Sequence, residues 1–440
     1  MGRILKIMLD RAPEGGYFYL GPSGLVIFFF LFLITSCATL KPTASTTTKP
    51  LMMYNPGRTE LHPDYVVYHN SPDESTLFFR LFANELLFNQ ANPETRDQSR
   101  IKLQYILYSS FSEQIQDQAD EQEFVINRED VKDHYTNSVK IATEEGKSYL
   151  LEVVLSDNIR QITSRQLILV DRFNPKSQQN FLVLNYPGNL IAFEKFFYPE
   201  ENFRIVSPKP PGKEMRIAYF KPIKQLPPPP FSTDVSPMPK QEPDSVWSFM
   251  ITDQTLYRLE NEGIYMFYPD PSSMNGVYLS NLGNNHPQVK ASEDMLPPLQ
   301  YITSSEEYRK IIAKPDLKKA VDDYWLDKGG SFDAARELIR IFYNRVVFAN
   351  LYFTTDRPGW KTDRGMIYIL MGSPSLVNKS ETGESWVYKR INSNQKYTFD
   401  FFLAADAIKG YEFILNRTEN HRIVWNTAVR SWREGRIYSL

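Results

Sequence analysis

An uninterrupted apolar run at 25–34, near the amino end, constrains this chain more than any other feature. A helix needs about 20 apolar residues to cross a bilayer, so this run is too short to span one. Arg3, Lys6 and Arg11 precede it and small residues follow it, which is the three-part form of a secretory signal peptide. Export is therefore expected. Because Cys37 is the only cysteine, no internal disulfide can form and the fold must be stabilised by packing alone.

The run ends in Ile-Thr-Ser-Cys at 34–37, which resembles the lipobox of bacterial lipoproteins. The resemblance implies that the chain is cut before Cys37 and that this cysteine is acylated, which gives a stable membrane anchor. We therefore predict a lipoprotein signal peptide at 1–36, lipidation at Cys37 and a flexible tether at 37–63. The expected location is the bacterial cell envelope, with the lipid in the outer membrane and the protein facing the periplasm. The alternative is an ordinary signal peptide followed by an incidental cysteine.

The composition excludes several kinds of partner and site. Lys and Arg number 50 against 52 for Asp and Glu, so the net charge of -2 offers no general attraction to nucleic acid. Five histidines and one cysteine are too few to favour a metal site, and we expect neither a metal nor another cofactor. At roughly 100 to 200 residues per domain, a chain of 440 residues is expected to form several domains.

Two tandem β-sandwich domains of immunoglobulin-like size are predicted, at 64–175 and 176–285. Both contain short apolar and aromatic runs separated by polar segments, which is the pattern of half-buried strands. The runs lie at 76–88, 101–108, 124–127, 139–143, 149–155 and 166–171, then at 181–186, 190–196, 215–220, 247–252, 264–268 and 277–279. Twelve of the 30 prolines fall at 199–243, where we predict a Pro-rich insertion. Its unbroken run at 227–230 is interpreted as a stiff surface segment or, alternatively, as a docking strip for a partner.

Helical periodicity replaces strand alternation in the last predicted domain, at 286–440. Helix starts are predicted at 304 and 331, with apolar residues at helical spacing after each. Strands are expected at 366–371, 385–389, 397–403 and 411–416. The predicted architecture is therefore two β-sandwiches followed by a helical segment packed on a small antiparallel sheet. The basic stretch at 422–440 is expected to be a solvated tail, or to face an acidic partner or lipid headgroups.

The sequence Gly-Trp-Lys-Thr-Asp-Arg-Gly at 359–365, together with the apolar run that follows it, resembles the signature of the GWxTD-domain family of bacterial envelope proteins. The resemblance extends loosely upstream over the helical segment and downstream through the strand that contains Trp386. It implies an α+β domain in secreted or lipid-anchored proteins, often placed behind β-sandwich modules. It implies no particular activity.

The candidate site residues of this motif are Gly359, Trp360, Thr362, Asp363, Arg364 and Gly365. We interpret the motif as a structural corner, in which Trp360 enters a core while Thr362 and Asp363 accept hydrogen bonds from backbone amides. Gly365 would then lead the chain into the next strand. The alternative is an active site in which Asp363 serves as an acid and Arg364 as a charge clamp.

Enzymatic activity stays open, although the sequence leans against it. A nucleophile elbow, a zinc-binding His-Glu-x-x-His helix and a dinucleotide-binding glycine loop are all absent from the sequence. The five histidines are scattered, and we interpret each as a surface or turn residue: His62, His69, His134, His286 and His421. A glycosidase with paired carboxylates would have to draw on the acids of the last domain. These are Asp356, Asp363, Asp400, Asp406 and Glu412.

Five of the six tryptophans lie near the carboxyl end: Trp325, Trp360, Trp386, Trp425 and Trp432. We expect most of them in the core, whereas an exposed row of such rings would bind sugars or a partner.

Taken together, these features favour a lipid-anchored envelope protein that acts as a non-enzymatic scaffold or adaptor, or as a partner-binding module, in an envelope assembly. The expected partners are the membrane, through the amino-terminal lipid, and another envelope protein, but not nucleic acid. A glycan-binding or glycan-cleaving periplasmic protein is the first alternative. A peptide-binding periplasmic chaperone is the second.

Overall fold

The computed structural model describes residues 54–55, 61–90, 93–110, 115–157, 159–174, 177–206, 214–233, 242–250, 252, 255–269, 276–380, 382–389, 395–406 and 410–439. These residues belong to one compact unit, Pro50–Leu440. The predicted signal peptide and the predicted lipidation site at Cys37 lie outside the described residues.

Two antiparallel sheets enclose the first core. The strands are β1 (Asp64–Ser71), β2 (Glu74–Phe82), β3 (Gln98–Ser110), β4 (Ile115–Asn127), β5 (His134–Ala142), β6 (Ser148–Asp157) and β7 (Ile162–Asp171). One sheet has the order β1-β2-β5 and the other β4-β3-β6-β7. Leu77, Phe79 and Leu81 alternate along β2 and are fully buried, as are Leu103 and Leu151 of the other sheet. Alternation of this kind places every second side chain in the core between the sheets.

A second pair of sheets follows. Its strands are β8 (Leu182–Tyr186), β9 (Leu190–Ile191), β10 (Asn202–Val206), β11 (Glu214–Phe220), β12 (Ser245–Met250), β13 (Gly263–Tyr268) and β14 (Val277–Asn281). The strand orders are β10-β8-β9 and β12-β11-β13-β14. Tyr265 and Phe267 of β13 face the core of this part, whereas Ile264, Met266 and Tyr268 belong to a separate apolar cluster. Burial on both faces explains why β13 is apolar throughout.

The carboxyl-terminal part combines helices with a four-stranded antiparallel sheet. The helices are α1 (Ser292–Met295), α2 (Ser305–Ile312), α3 (Leu317–Gly329), α4 (Phe332–Phe353), α5 (Asp363–Met371) and α6 (His421–Arg433). The strands are β15 (Leu376–Ser380), β16 (Gly383–Lys389), β17 (Lys396–Asp406) and β18 (Gly410–Leu415), in the order β15-β16-β17-β18. The predicted fold class, β-rich and multidomain with an α+β end, is confirmed. None of the described helices combines the length and the apolar character that crossing a bilayer requires.

Local sequence signals account for the starts of the helices. The Ser304 hydroxyl accepts a hydrogen bond from the Glu307 amide, and the Glu307 carboxylate accepts one from the Ser304 amide, so the two residues form a capping box for α2. The Ser331 hydroxyl caps α4 by accepting a hydrogen bond from the Ala334 amide, without a reciprocal side-chain bond. Between α3 and α4, Gly330 has a φ of 66°, which glycine adopts without steric cost.

The segment at 366–371, predicted as a strand, is instead part of helix α5. The Thr362 hydroxyl accepts a hydrogen bond from the Gly365 amide and so caps the helix. Every residue from Gly365 to Met371 is buried. A short run that is apolar on all sides carries no period that would separate a helix from a buried strand, which is why the sequence pattern misled.

The carboxyl-terminal stretch predicted as a solvated tail forms helix α6, packed on the core. Val424, Trp425, Ala428 and Trp432 are buried and share one face of the helix. The arginines occupy the remaining faces, and Arg433 forms an ion pair with Glu307 of α2. The buried residues recur at helical spacing between the arginines, so the stretch is an amphipathic helix and not a solvated tail.

Candidate functional site

The motif at 359–365 forms the corner between helices α4 and α5. A short 3-10 turn, Gly359–Lys361, follows α4 and leads directly to Thr362, the N-cap of α5. The Thr362 hydroxyl donates to the Gly359 carbonyl (2.7 Å) and accepts from the Gly365 amide (3.0 Å). One threonine thus closes the turn and opens the helix, which is the role expected of an N-cap residue. We call residues 359–365 the GWxTD corner.

Both glycines of the GWxTD corner are required by close packing of backbone on backbone. A Cβ atom at Gly359 would lie 1.9 Å from the Ala349 carbonyl oxygen of α4. A Cβ atom at Gly365 would lie 1.9 Å from the Gly359 carbonyl oxygen. The prediction that Gly365 leads into a strand is wrong, because Gly365 lies in the first turn of α5. It allows the first turn of α5 to pack against the preceding turn.

Trp360 lies in the core of the carboxyl-terminal part. Its amide donates to Asn350 Oδ1 (3.1 Å), and its carbonyl accepts from the Tyr301 hydroxyl (2.8 Å). Its ring packs edge-on against Tyr301. Asn350, one turn before the end of α4, also donates to the Pro287 carbonyl (3.0 Å). The buried amide of Asn350 therefore connects the corner to the segment that precedes α1.

Asp363 connects the corner to the far edge of the sheet. Its Oδ2 accepts from the Leu415 amide at the end of β18 (2.8 Å), and its carboxylate forms an ion pair with Arg417. The two side chains are only 9% and 10% exposed. Arg417 in turn donates to the Pro228 carbonyl (3.3 Å). A single carboxylate thus holds together α5, β18 and the proline run.

The proline run at 227–230 packs on the carboxyl-terminal part. The Pro230 carbonyl accepts from the Thr418 amide (3.1 Å) and contacts the His421 ring (3.2 Å). Arg422 lies over the Phe231 ring, 4.2 Å from its centroid. The carbonyl groups of Pro228, Pro229 and Pro230 therefore already accept hydrogen bonds within the chain.

Arg364 points away from Asp363 toward a buried charge cluster. Its guanidinium carbon lies 3.9 Å from the ring centroid of Phe413 and 5.1 Å from that of Phe353. Its Nη1 is 3.6 Å from Glu384 Oε1. The Arg364 Nε is buried and has no hydrogen-bond partner among the described residues. Of the motif's side chains, Arg364 thus has the least complete set of polar contacts.

Glu384 of β16 is the centre of this cluster, and its side chain is only 3% exposed. It accepts hydrogen bonds from the Tyr54 hydroxyl (3.0 Å) and from Trp386 Nε1 (2.9 Å), and Lys379 Nζ lies 3.7 Å away. Burial opposes ionisation of Glu384, but the charges of Arg364 and Lys379 outweigh it and hold its pKa below the ordinary value. Burial lowers the pKa of Lys379, and Glu384 offsets part of this effect.

Tyr54 falls within the segment predicted as a tether, yet its ring lies in the carboxyl-terminal core. The ring contacts Phe353 and Trp386, with centroids 4.9 and 5.3 Å apart. Its carbonyl accepts from the Tyr368 hydroxyl (2.9 Å). Sequence reasoning missed Tyr54 and Glu384. The one available signal was that Tyr54 is the only Phe, Tyr or Trp between residues 37 and 63.

Among the other acids proposed for a glycosidase, those with described side chains, Asp356, Asp400 and Glu412, do not form a pair in an open cleft. Asp356 and Arg357 are buried and form an ion pair, and Arg357 also lies 3.8 Å from Glu412. Asp400 is exposed, and the side chain of Asp406 lies outside the described part of the chain. Where the structure is described, no group of three or more His, Cys, Asp or Glu residues could hold a metal ion.

The five carboxyl-terminal tryptophans are all core residues, exposed by 0 to 8%. They therefore provide no row of rings for stacking on sugars. Trp247 is different, since it is 42% exposed on β12, an edge strand of its sheet. A pocket beside it is lined by the aromatic rings of Phe249, Tyr257, Tyr265 and Phe267.

Two of the histidines interpreted as surface or turn residues are buried. His69 contacts the Ser75 hydroxyl (2.8 Å) and the Asp171 carbonyl (3.2 Å). His286 contacts the Thr354 hydroxyl (3.3 Å) and packs edge-on against Phe196. Burial lowers the pKa of each ring to about 4. Apart from Ser75, which is six positions from His69, the partners lie far along the chain, so burial of these two rings could not be recognised from their sequence neighbours.

These histidines predict that acidification destabilises the fold. An unfolded histidine binds a proton as pH falls through about 6.5, whereas the folded rings resist protonation until about pH 4. The free energy of unfolding should therefore fall between pH 7.5 and 5, by about 2 kcal/mol for each histidine. Urea unfolding at the two pH values measures this loss. His69→Gln and His286→Gln should each reduce it, whereas His134→Gln at an exposed position should not; equal losses in all four proteins would contradict the assignment.

Residues 263–434 match the GWxTD domain family. No curated protein matches the chain.

Proposed function

The chain carries a GWxTD domain, and on that premise we propose that it is a lipid-anchored scaffold or adaptor of the bacterial envelope without catalytic activity. The observation that supports this proposal most directly is that the polar side chains of Thr362 and Asp363 in the GWxTD corner are bonded within the fold. Thr362 and Asp363 direct their polar groups to backbone amides and to a buried arginine, and the ring of Trp360 lies in the core. A motif used in this way shapes a domain and leaves the acid no access to a substrate.

Tyr54 connects the predicted tether to the folded part of the chain. Acyl chains on Cys37 would hold the amino end in the outer membrane. Downstream of Cys37, Tyr54 bonds to the carboxyl-terminal part of the fold: its hydroxyl donates to Glu384, and its carbonyl accepts from the Tyr368 hydroxyl. An adaptor anchored in this way could hold a second envelope protein at the periplasmic face of the membrane.

Because Cys37 is the only cysteine, one variant tests the anchor. In cells of the source bacterium, the wild-type protein should incorporate labelled palmitate, fractionate with the outer membrane and contain no maleimide-reactive thiol after denaturation. Cys37→Ser should incorporate no palmitate and leave the membrane fraction. In-cell crosslinking should then give reproducible neighbours for the wild type that are lost in Cys37→Ser. A wild-type protein that takes up no palmitate would refute the anchor, and one that crosslinks to no reproducible neighbour would refute the adaptor function.

A further inference from the structure

A cleft of about 440 Å³ lies between the first pair of sheets and the sheet of the GWxTD domain. One wall comes from β3, β6 and β7, and the other from β15, β16, β17 and β18. Its volume falls within the range of small-molecule sites, which are mostly apolar and contain a few converging polar groups. We call it the intersheet cleft.

The walls of the intersheet cleft combine apolar side chains with the serines Ser109, Ser110, Ser148 and Ser380, and the cleft has one group of charged side chains. The apolar lining includes Leu150, Leu167, Leu169, Leu403 and Phe413. Lys379 and Glu384 line it from the GWxTD side, and Arg364 lies directly behind Glu384. Three charged groups thus lie together at a cleft that is lined by both leucines and serines.

The charges at this end do not cancel. Lys379 and Arg364 share a single carboxylate, Glu384, whose two oxygens already accept hydrogen bonds from Tyr54 and Trp386. Lys379 Nζ is 3.7 Å from Glu384 Oε1, which is longer than the 2.7–3.2 Å of an ordinary hydrogen bond. The ammonium group therefore keeps donors available to the cleft, next to an excess of one positive charge.

Acids on the opposite wall are already engaged. Glu152 forms an ion pair with Arg165 and accepts from the Tyr108 hydroxyl (3.2 Å). Asp117, near the cleft, accepts from Ser109 (2.8 Å) and is exposed to solvent, which screens its charge. The excess positive charge that Lys379 and Arg364 share over Glu384 is consequently not balanced from the opposite wall of the cleft.

We propose that the intersheet cleft binds a small organic carboxylate that carries an apolar group, with the carboxylate on Lys379 and the apolar group between the leucines and Phe413. A fatty acid and the carboxyl end of an apolar peptide both have this chemistry. This proposal does not depend on the adaptor function, because a scaffold without small-molecule binding and a binding protein without partners would each be consistent with the GWxTD corner.

Isothermal titration calorimetry on the full-length chain carrying Cys37→Ser, so that no acyl chain competes, tests the proposal. The probes are sodium octanoate below its micelle concentration, N-acetyl-leucyl-leucine and 1-octanol. We expect saturable binding of at least one of the two carboxylates, at least ten times tighter than binding of the neutral alcohol. Tighter binding of octanoate would identify a fatty acid as the ligand, and tighter binding of N-acetyl-leucyl-leucine would identify the carboxyl end of a peptide. Absence of saturable binding by either carboxylate, or equal affinity for the alcohol, would overturn the proposal.

Two variants locate the site. Lys379→Gln should weaken binding of the carboxylate at least tenfold, whereas Lys389→Gln, at an exposed position at the end of β16, should change it less than twofold. Leu403→Trp should fill the cleft from the sheet side and abolish binding while Lys379 stays in place. Thermal unfolding of each variant shows whether it is folded. Unchanged affinity in both folded cleft variants would place the binding elsewhere and overturn the proposal.

Discussion

Gly359→Ala is expected to destabilise the protein by about 3 kcal/mol or more, because the new methyl group cannot be accommodated without moving backbone. Its Cβ would lie 1.9 Å from the Ala349 carbonyl oxygen and 2.9 Å from the Asn350 Cα. Both atoms belong to the backbone of α4, so no side-chain rotation can relieve the clash. Separation of the corner from α4 would also weaken the bond from the Trp360 amide to Asn350. The free energy of urea unfolding measures the effect.

Gly146→Ala provides the comparison for Gly359→Ala. Gly146 lies in the turn between β5 and β6, which belong to different sheets, and has a φ of 81°; a Cβ there would meet nothing within 4 Å. Its replacement should therefore cost only the backbone strain of the left-handed region, about 1 to 2 kcal/mol. If Gly359→Ala proved no more destabilising than Gly146→Ala, the glycine of the motif would not be explained by close packing.

The strand pattern of the two β-rich parts could largely be predicted, because alternation along one strand is a local property. The alternating positions Leu77, Phe79 and Leu81 indicate which face of β2 is buried, even when the neighbouring strands are unknown. Helices α2 and α4 could be predicted for the same reason, since Ser304 and Ser331 mark their starts locally. The pairing of strands into separate sheets is set by contacts between distant segments, and the sequence pattern contains no trace of it.

Prediction failed where tertiary burial replaced amphipathic patterning. Helix α5 is buried on every side from Gly365 onward, so its apolar run at 366–371 had neither a helical nor a strand period. Helix α6 had a clear apolar face, with Trp425 and Trp432 buried, but the surrounding arginines suggested a solvated tail. The capping role of Thr362 was visible in principle, because threonine is a common N-cap residue and here precedes an acidic residue and an apolar run.

The sequence indicated that side chains of the corner accept hydrogen bonds from backbone amides, but it did not indicate the distant residues that they contact. The corner residues could be assigned a structural role from their chemistry alone, as for Thr362, which accepts from a backbone amide. Their partners could not be predicted, because Arg417 is 54 positions from Asp363 and Tyr54 is 330 positions from Glu384. A buried charge cluster assembled from such distant segments has no local signature.

Asp363→Asn distinguishes the structural interpretation of the corner from the catalytic one. Asparagine can still accept from the Leu415 amide, but it leaves the buried guanidinium of Arg417 without its counter-charge. Removal of one partner of a buried ion pair costs about 3 to 5 kcal/mol, and we expect a loss of this size in the free energy of urea unfolding. Asp400→Asn, at an exposed position on β17, should have little effect.

The double variant Asp363→Asn/Arg417→Gln completes the test. Once both charges are gone, no ion is left buried and unpaired, so the double variant should be less destabilised than the sum of the two single variants. The same cycle has a different outcome if Asp363 serves as a catalytic acid. In that case its replacement would leave stability unchanged or increase it, since active-site groups are commonly held at a cost to the fold. Two outcomes would therefore refute the structural interpretation of Asp363: additive effects of the two substitutions, or an Asp363→Asn variant as stable as the wild type. In either case the ion pair with Arg417 would not stabilise the packing of α5 on β18 and the proline run.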